Sequence, residues 1–158
     1  MKPKRSLRKS KKSSSKKRKA RKSKVILILP LLAAMAPFLI WPIELFLPYP
    51  HIIEELAKAF LVFPLLDYPD RTTQIKLATL FGFLFALSEN VLYIFNFSLV
   101  GNLGTFFARL LVTAPLHMIT FFLILVPAIK SKKLVPLGVI AAILVHYLYN
   151  SIINNIIS

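Results

Sequence analysis

Five apolar stretches, each near the length of a bilayer-crossing helix, dominate this sequence and limit the folds open to it. They cover residues 25–41, 51–66, 73–97, 105–129 and 134–157. A helix rises about 1.5 Å per residue, so roughly 20 apolar residues cross the hydrocarbon core of a membrane. The second stretch is the shortest and reaches only about 24 Å as a helix. The pattern predicts an all-α, polytopic integral membrane bundle of about five transmembrane helices.

Charge divides the chain into two unlike segments. Of the 21 Lys and Arg residues, 14 lie in residues 1–24, which contain no acidic residue. Such a low-complexity segment cannot bury enough apolar surface to fold, so it predicts a disordered polybasic cytoplasmic tail. Residues 25–158 hold 7 basic and 6 acidic residues, and we expect them to form the transmembrane domain. The chain has no cysteine, which excludes disulfides, thiolate metal sites and a cysteine nucleophile.

The distribution of basic residues also predicts orientation and partners. The tail, the segment around Arg71 and Lys76, and residues 130–133 carry Lys or Arg, whereas residues 41–50, 97–104 and the C-terminal end carry none. The positive-inside rule then places the N-terminus in the cytoplasm and the C-terminus outside the cell membrane. We expect the tail to contact anionic lipid head groups. It lacks aromatic residues for base stacking, which disfavours nucleic acid as a partner.

Ionisable and amide side chains interrupt four of the five apolar stretches. Because such groups are costly in hydrocarbon, each marks a candidate functional position. The candidates are Glu54, Glu55 and Lys58; Glu89 and Asn90; Arg109 and His117; and His146 and Asn150. Counted from the predicted outer ends, most lie in the outer half of the membrane, which predicts one shared polar chamber. Arg109 can also snorkel to the surface, and His51 is expected to be an interfacial residue.

These residue types suit hydrolysis by an activated water molecule. The neighbouring carboxyls of Glu54 and Glu55 cannot both ionise easily in a poorly solvated site, so one of them can serve as a general base. The two histidines and Asn150 can stabilise a developing oxyanion, while Glu89 orients water or an imidazole. No serine, threonine or cysteine stands beside an obvious base, so a covalent intermediate is not expected.

Four motifs in order on separate stretches carry a family resemblance: EELAK from Glu54, FGFLFALSEN ending at Asn90, PLHMIT around His117, and HYLYN from His146. Together they resemble the PrsW family of membrane-embedded glutamic peptidases, which is related to CAAX prenyl proteases and Abi membrane proteins. The resemblance covers about residues 50–152 and implies an intramembrane endopeptidase. It implies Glu54 or Glu55 as the base, with Glu89, His117, His146 and Asn150 positioning water and stabilising the transition state, and Lys58, Asn90 and Arg109 in support.

The resemblance further implies a membrane-associated substrate, such as a single-span regulatory protein clipped near the extracytoplasmic face. The sequence departs from the family pattern because it reads EELAK from Glu54 to Lys58, without the proline that we expect from EEPxK. No cofactor is expected. Three alternatives stay open: a metal-dependent version of the same hydrolase, since Glu and His also bind divalent ions; a non-catalytic immunity or scaffold protein; and a proton-coupled carrier. The sequence has no HExxH spacing, which would support the metal-dependent hydrolase. It also has no internal repeat, which would support the carrier.

Overall fold

The structure of the protein, a computed structural model, describes residues 28–96 and 103–157. The predicted tail of residues 1–24 lies outside these ranges. Within them every regular element is helical, so the prediction of an all-α bundle is confirmed. The helices are α1 (Ile28–Glu44), α2 (Pro50–Leu65), α3 (Arg71–Asn96), α4 (Leu103–Lys130) and α5 (Val135–Ile157), with a single 3₁₀ turn at Lys132–Leu134 before α5.

The five helices coincide with the five predicted stretches, and their ends differ by a few residues. Among the described residues, three helical segments are long and apolar enough to cross a membrane: Arg71–Phe95 in α3, Phe106–Lys130 in α4, and Lys132–Ile152, which is mostly α5. Helix α1 is apolar but shorter, and α2 has only 16 residues. Five spans are therefore confirmed as helices, while bilayer crossing by α1 and α2 stays a prediction.

Helix α4 is the centre of the bundle and packs against α2, α3 and α5. One half of the bundle, which we call the apolar half, lies where α2 ends and α5 begins. Its core contains Leu65, Phe81, Phe121, Ile124, Leu125 and Val139, all buried. The other half, which we call the polar half, lies where α2 begins and α5 ends, and it holds most of the buried polar side chains.

Two glycines let the helix backbones approach closely. A Cβ atom at Gly82 of α3 would lie 2.7 Å from the backbone of Met118 on α4. A Cβ atom at Gly138 of α5 would lie 2.5 Å from the carbonyl oxygen of Leu123. Both contacts allow close packing, as small residues do in membrane helices. Gly82 thereby fixes α3 against α4 beside His117.

Asp70 caps the start of α3. Its carboxylate accepts hydrogen bonds from the Thr73 hydroxyl at 2.6 Å, the Thr73 amide at 2.8 Å and the Thr72 amide at 3.2 Å. These are the unpaired first-turn donors that a helix N-cap satisfies. The hydrogen bonds from Thr73 lower the pKa of Asp70 below its ordinary value.

Candidate active site

Polar side chains from four helices meet in the polar half. Helix α2 contributes Glu54, Glu55 and Lys58, α3 contributes Glu89 and Asn90, α4 contributes Arg109 and His117, and α5 contributes His146. Glu55, Lys58 and His117 are completely buried, and Glu54 is 9% exposed. Burial of charged groups is tolerated only when they pair with one another, so the pairing of each group indicates its role.

Glu55 is the most fully paired carboxylate. Its Oε1 atom accepts hydrogen bonds from Lys58 Nζ at 2.6 Å and from His146 Nδ1 at 2.8 Å. Lys58 also donates to the hydroxyl of Thr120 at 3.0 Å, and that hydroxyl donates to the His117 carbonyl at 3.2 Å. These bonds connect α2 to α4 and α5. Glu55 and Lys58 therefore hold the site together and orient His146.

Glu89 forms a second paired group, between α3 and α4. His117 Nε2 hydrogen-bonds to Glu89 Oε2, and Arg109 Nη2 lies 3.5 Å from Glu89 Oε1. The Arg109 guanidinium also lies 3.3 Å from the centre of the Tyr93 ring, a cation–π contact. Glu89 thus fixes the ring of His117, and Arg109 compensates the charge of the Glu89 carboxylate.

Glu54 differs from both of these carboxylates because it accepts no hydrogen bond in the described part of the chain, whereas Glu55, whose own Oε2 is also unpartnered, is bonded through Oε1. The Glu54 Oε2 atom is buried and has no hydrogen-bond partner in the described part of the chain. It lies 3.8 Å from His146 Nδ1, but that nitrogen is already bonded to Glu55. Ligand atoms of Glu54, Glu89 and His117 all lie within 4.8 Å of one another. Glu54 is therefore an unpaired carboxylate facing the Glu89–His117 pair.

Aromatic rings line the boundary between the polar and apolar halves. The Phe85 ring lies 5.1 Å from the His117 ring and 4.9 Å from Lys58 Nζ. It also lies 6.4 Å from Phe121 in the apolar core. The rings of His117 and His146 meet edge to face at 5.4 Å. Phe85 therefore separates the paired charges from the hydrocarbon-like core below them.

The two asparagines of the predicted site have different surroundings. Asn90 is buried, and its Nδ2 donates to Thr113 Oγ1 at 2.6 Å and to the Ala86 carbonyl at 2.7 Å. It therefore links α3 to α4. Asn150 lies one turn after His146 on α5 and is only partly buried. Within the described ranges, no hydrogen bond connects its amide to the other polar residues of the site.

Several residues of the site were missed in the sequence. Thr113 and Thr120 flank His117 at helical spacings of four and three, which is the signal that could have found them. His51, expected at the membrane interface, is only 7% exposed, and its ring lies 6.0 Å from His146.

A buried set of carboxylates and imidazoles inside a bundle of apolar helices defines a polytopic membrane protein with a hydrolase-type site. The model of a family described as PrsW family intramembrane metalloprotease matches residues 45–158, more than two thirds of the chain. The chain belongs to this family and is a membrane protease, as its four motifs indicated. No curated protein and no solved structure matches it.

The family description names a metalloprotease, so the donors of this site need comparison with what a metal requires. Glu54, Glu89 and His117 supply two carboxylates and one imidazole, a donor set that suits zinc or another divalent ion. The Glu54 Oε2 atom, which has no partner in the described part of the chain, is also free to bind a cation. These residues fit a divalent ion. The positive charge of Arg109, which lies 3.5 Å from Glu89, would oppose the binding of such an ion.

Proposed function

We propose that this protein is an intramembrane endopeptidase of the glutamic type, in which Glu54 is the general base that activates water. The pairing of the two neighbouring carboxylates carries this proposal. Glu55 is bonded to Lys58 and His146, whereas Glu54 Oε2 has no hydrogen-bond partner in the described part of the chain. A base must have a free lone pair within reach of the water that it deprotonates. Glu54 meets this requirement and accepts no hydrogen bond in the described part of the chain, whereas Glu55 has a free Oε2 but its Oε1 is held by Lys58 and His146.

The proposed mechanism gives each group one step. Glu54 removes a proton from water while the water oxygen attacks the scissile carbonyl carbon. The carboxylate of Glu55, bonded to His146 Nδ1, stabilises a positive charge on that ring, and Nε2 is then a donor to the oxyanion. The proton held by Glu54 passes to the amide nitrogen as the C–N bond breaks. Glu89 keeps His117 in place beside the reacting water. No covalent acyl intermediate forms.

The decisive experiment compares matched amide variants of the two neighbouring carboxylates. The purified protein in detergent is incubated with fluorogenic single-span peptides, beside Glu54→Gln, Glu55→Gln and, as a control in the opposite loop, Asp67→Asn. Glu54→Gln should lower kcat by about 10²–10⁴, the usual contribution of a general base, without lowering the melting temperature. Glu55→Gln should lower both. Normal turnover by Glu54→Gln would exclude Glu54 as the base.

A metal-dependent mechanism is the second candidate, favoured by the clustering of Glu54, Glu89 and His117 ligand atoms within 4.8 Å. A divalent ion, when bound there, would polarise the scissile carbonyl and acidify water. Metal analysis of the purified protein decides between the candidates. Turnover that survives chelation and desalting supports the metal-free mechanism. A stoichiometric ion, lost together with turnover on chelation and absent from His117→Ala, supports the metal-dependent one.

We further propose that the substrate is a single-span membrane protein that contacts the apolar groove between α2 and α5. Leu56, Phe60 and Phe63 line the groove on α2, and Val135, Val139 and Ile140 line it on α5. The same two helices carry Glu54 and His146, so an apolar helix in the groove would lead toward the site. A photo-crosslinker at Phe60 should capture a synthetic single-span substrate, whereas one at Leu111, exposed on α4, should not. Equal capture at both positions would contradict this substrate mode.

For topology, we propose a cytoplasmic N-terminus and an external C-terminus in the cell membrane, with the tail on anionic lipid head groups. Because the chain lacks cysteine, single cysteines at Phe46 and Ser131 report topology directly. An impermeant maleimide should label position 46 in intact cells and position 131 only after permeabilisation. Removal of residues 1–24 should weaken binding of the protein in micelles to anionic vesicles but not to neutral vesicles. The opposite labelling pattern would reverse the topology.

A further inference from the structure

All three histidines of the chain meet at the site, although only His117 and His146 belong to the four motifs. The rings of these two lie 5.4 Å apart, and the third ring, that of His51, lies 6.0 Å from His146. His51 is in the first turn of α2 and is only 7% exposed. None of the proposed steps of hydrolysis uses this buried side chain.

The spacing of His51 places it on the face of α2 that points into the bundle. Positions 51, 54, 55 and 58 follow the i, i+3, i+4, i+7 pattern of a single helix face, and all four side chains are buried. Leu56 and Phe60 of the same helix are exposed. His51 therefore shares a face with the carboxylates of the site and lies one turn before Glu54.

Ring contacts hold His51 in place. Its ring lies 5.7 Å from the Tyr147 ring and 6.0 Å from the Tyr49 ring, which are the separations of packed aromatic rings. Within the described ranges its ring nitrogens form no hydrogen bond. Tyr147 directly follows His146 on α5, so the His51 ring contacts two consecutive residues of that helix. The shape of the His51 ring is therefore what it contributes to its surroundings.

His146 needs such contacts, because its hydrogen bond alone does not fix the angle of its ring. Glu55 accepts a bond from His146 Nδ1 at 2.8 Å, but a hydrogen bond tolerates roughly 30° of misalignment. A reacting group must be held within about 10–20°. The His117 ring, on α4, meets the His146 ring at 86°, and the His51 ring, on α2, meets it at 53°. Contacts from two helices thus restrict the rotation that the hydrogen bond allows.

We propose that His51 is a positioning residue that holds the His146 ring at the angle from which its Nε2 atom donates to the oxyanion. This inference rests on the proposed peptidase function. His51 acts through the flat shape of its ring, and it exchanges no proton with the substrate. A ring is therefore required at position 51, whereas a ring nitrogen is not.

Two substitutions of His51 separate ring shape from packing volume. His51→Phe keeps a flat ring without nitrogens, and His51→Leu keeps a side chain of similar volume without a ring. With single-span peptides, His51→Phe should keep most of kcat, and His51→Leu should lower kcat about 10- to 100-fold at a similar KM. Phe81→Leu is the control, because it removes a ring contact of 6.1 Å with Phe121 in the apolar half. It should lower the melting temperature without changing kcat per folded molecule.

Nitrogen NMR on protein with isotope-labelled histidine reports the His146 ring directly. Only three imidazole rings contribute to the spectrum, and the signals lost in His146→Ala assign that ring. Exchange of the His146 Nδ1 proton, which is bonded to Glu55, is measured against water. It should become roughly 5- to 10-fold faster in His51→Leu as this bond loosens. His51→Phe and Phe81→Leu should keep the original exchange rate.

The two measurements distinguish failure of this inference from failure of the proposed function. Faster His146 exchange in His51→Leu alone, without turnover by the unmodified protein, would support the positioning role and reject the peptidase. Normal kcat in His51→Leu would reject the positioning role alone. Equal loss of kcat in folded His51→Phe and His51→Leu would show that the ring nitrogens act directly, and it would also overturn the proposal.

Discussion

In the polar half of the bundle, helices are joined by hydrogen bonds between buried charges, whereas in the apolar half they are joined by aromatic and aliphatic packing. The Glu55–Lys58–His146 group connects α2 to α5 in the first, and Phe81, Phe121 and Leu125 pack together in the second. Ionic hydrogen bonds require specific geometry, while apolar packing tolerates substitution of similar volume. The difference suggests that one half holds reacting groups in place and the other supports it.

The strongest test of this contrast removes Lys58. Lys58→Met should destabilise the protein by about 3–5 kcal/mol, because it leaves Glu55 as a buried charge without its main partner. Denaturant titration in mixed micelles measures the free energy of unfolding. The double variant Glu55→Gln/Lys58→Met should recover most of this loss without recovering turnover. A stability loss in the single variant below about 1 kcal/mol, as for an exposed ion pair, would show that the polar half does not depend on this pairing.

Substitutions of the two close-packed glycines allow a direct comparison of the two halves. Gly82→Ala and Gly138→Ala should each lower stability by about 1–3 kcal/mol, since a Cβ atom would press on the α4 backbone in both cases. Only Gly82→Ala displaces the segment that carries His117. A displacement near 1 Å can lower turnover about 10²-fold. Turnover per folded molecule, determined beside melting curves, should therefore fall for Gly82→Ala and persist for Gly138→Ala. Equal losses of turnover would remove the functional distinction between the halves.

A smaller effect is expected at Thr120, which accepts a hydrogen bond from Lys58 and donates one to the His117 carbonyl. Thr120→Val keeps the shape but removes both bonds, so it should cost about 1 kcal/mol or somewhat more. Thr79→Val is the matched control, because the Thr79 hydroxyl bonds only to the Ile75 carbonyl of its own helix. Unfolding titrations of the two variants should differ. Identical values would indicate that Thr120 adds nothing to the pairing of Lys58.

The smallest effect concerns Asp70, outside both halves. Its pKa is lowered in the folded state by the hydrogen bonds from Thr73, so its contribution to stability is present at neutral pH and is lost as the pH falls through that lowered pKa. Asp70→Ala should lower the melting temperature slightly at neutral pH. The difference from the unmodified protein should vanish at acidic pH. A difference that grows on acidification would contradict the capping role.

Much of the fold followed from the sequence, because the apolar stretches had helical length and were separated by proline and polar residues. The predicted second stretch, residues 51–66, agrees closely with α2, Pro50–Leu65. The choice between Glu54 and Glu55 did not follow. The two residues are adjacent in the chain, and only their contacts with other helices distinguish the paired carboxylate from the unpaired one. We expected His51 at the membrane interface because the local sequence does not reveal its contact with His146, a residue nearly 100 positions away.

The sequence by itself determined that this chain forms apolar helices and that costly polar groups interrupt them at related depths. It also carried the four motifs that place the chain in its family. These properties depend on residue type and local spacing, which a linear sequence records completely. The tertiary structure decided which carboxylate has a cation beside it and which accepts no hydrogen bond in the described part of the chain. Charge compensation depends on distances between helices, and those distances exist only after the helices have packed.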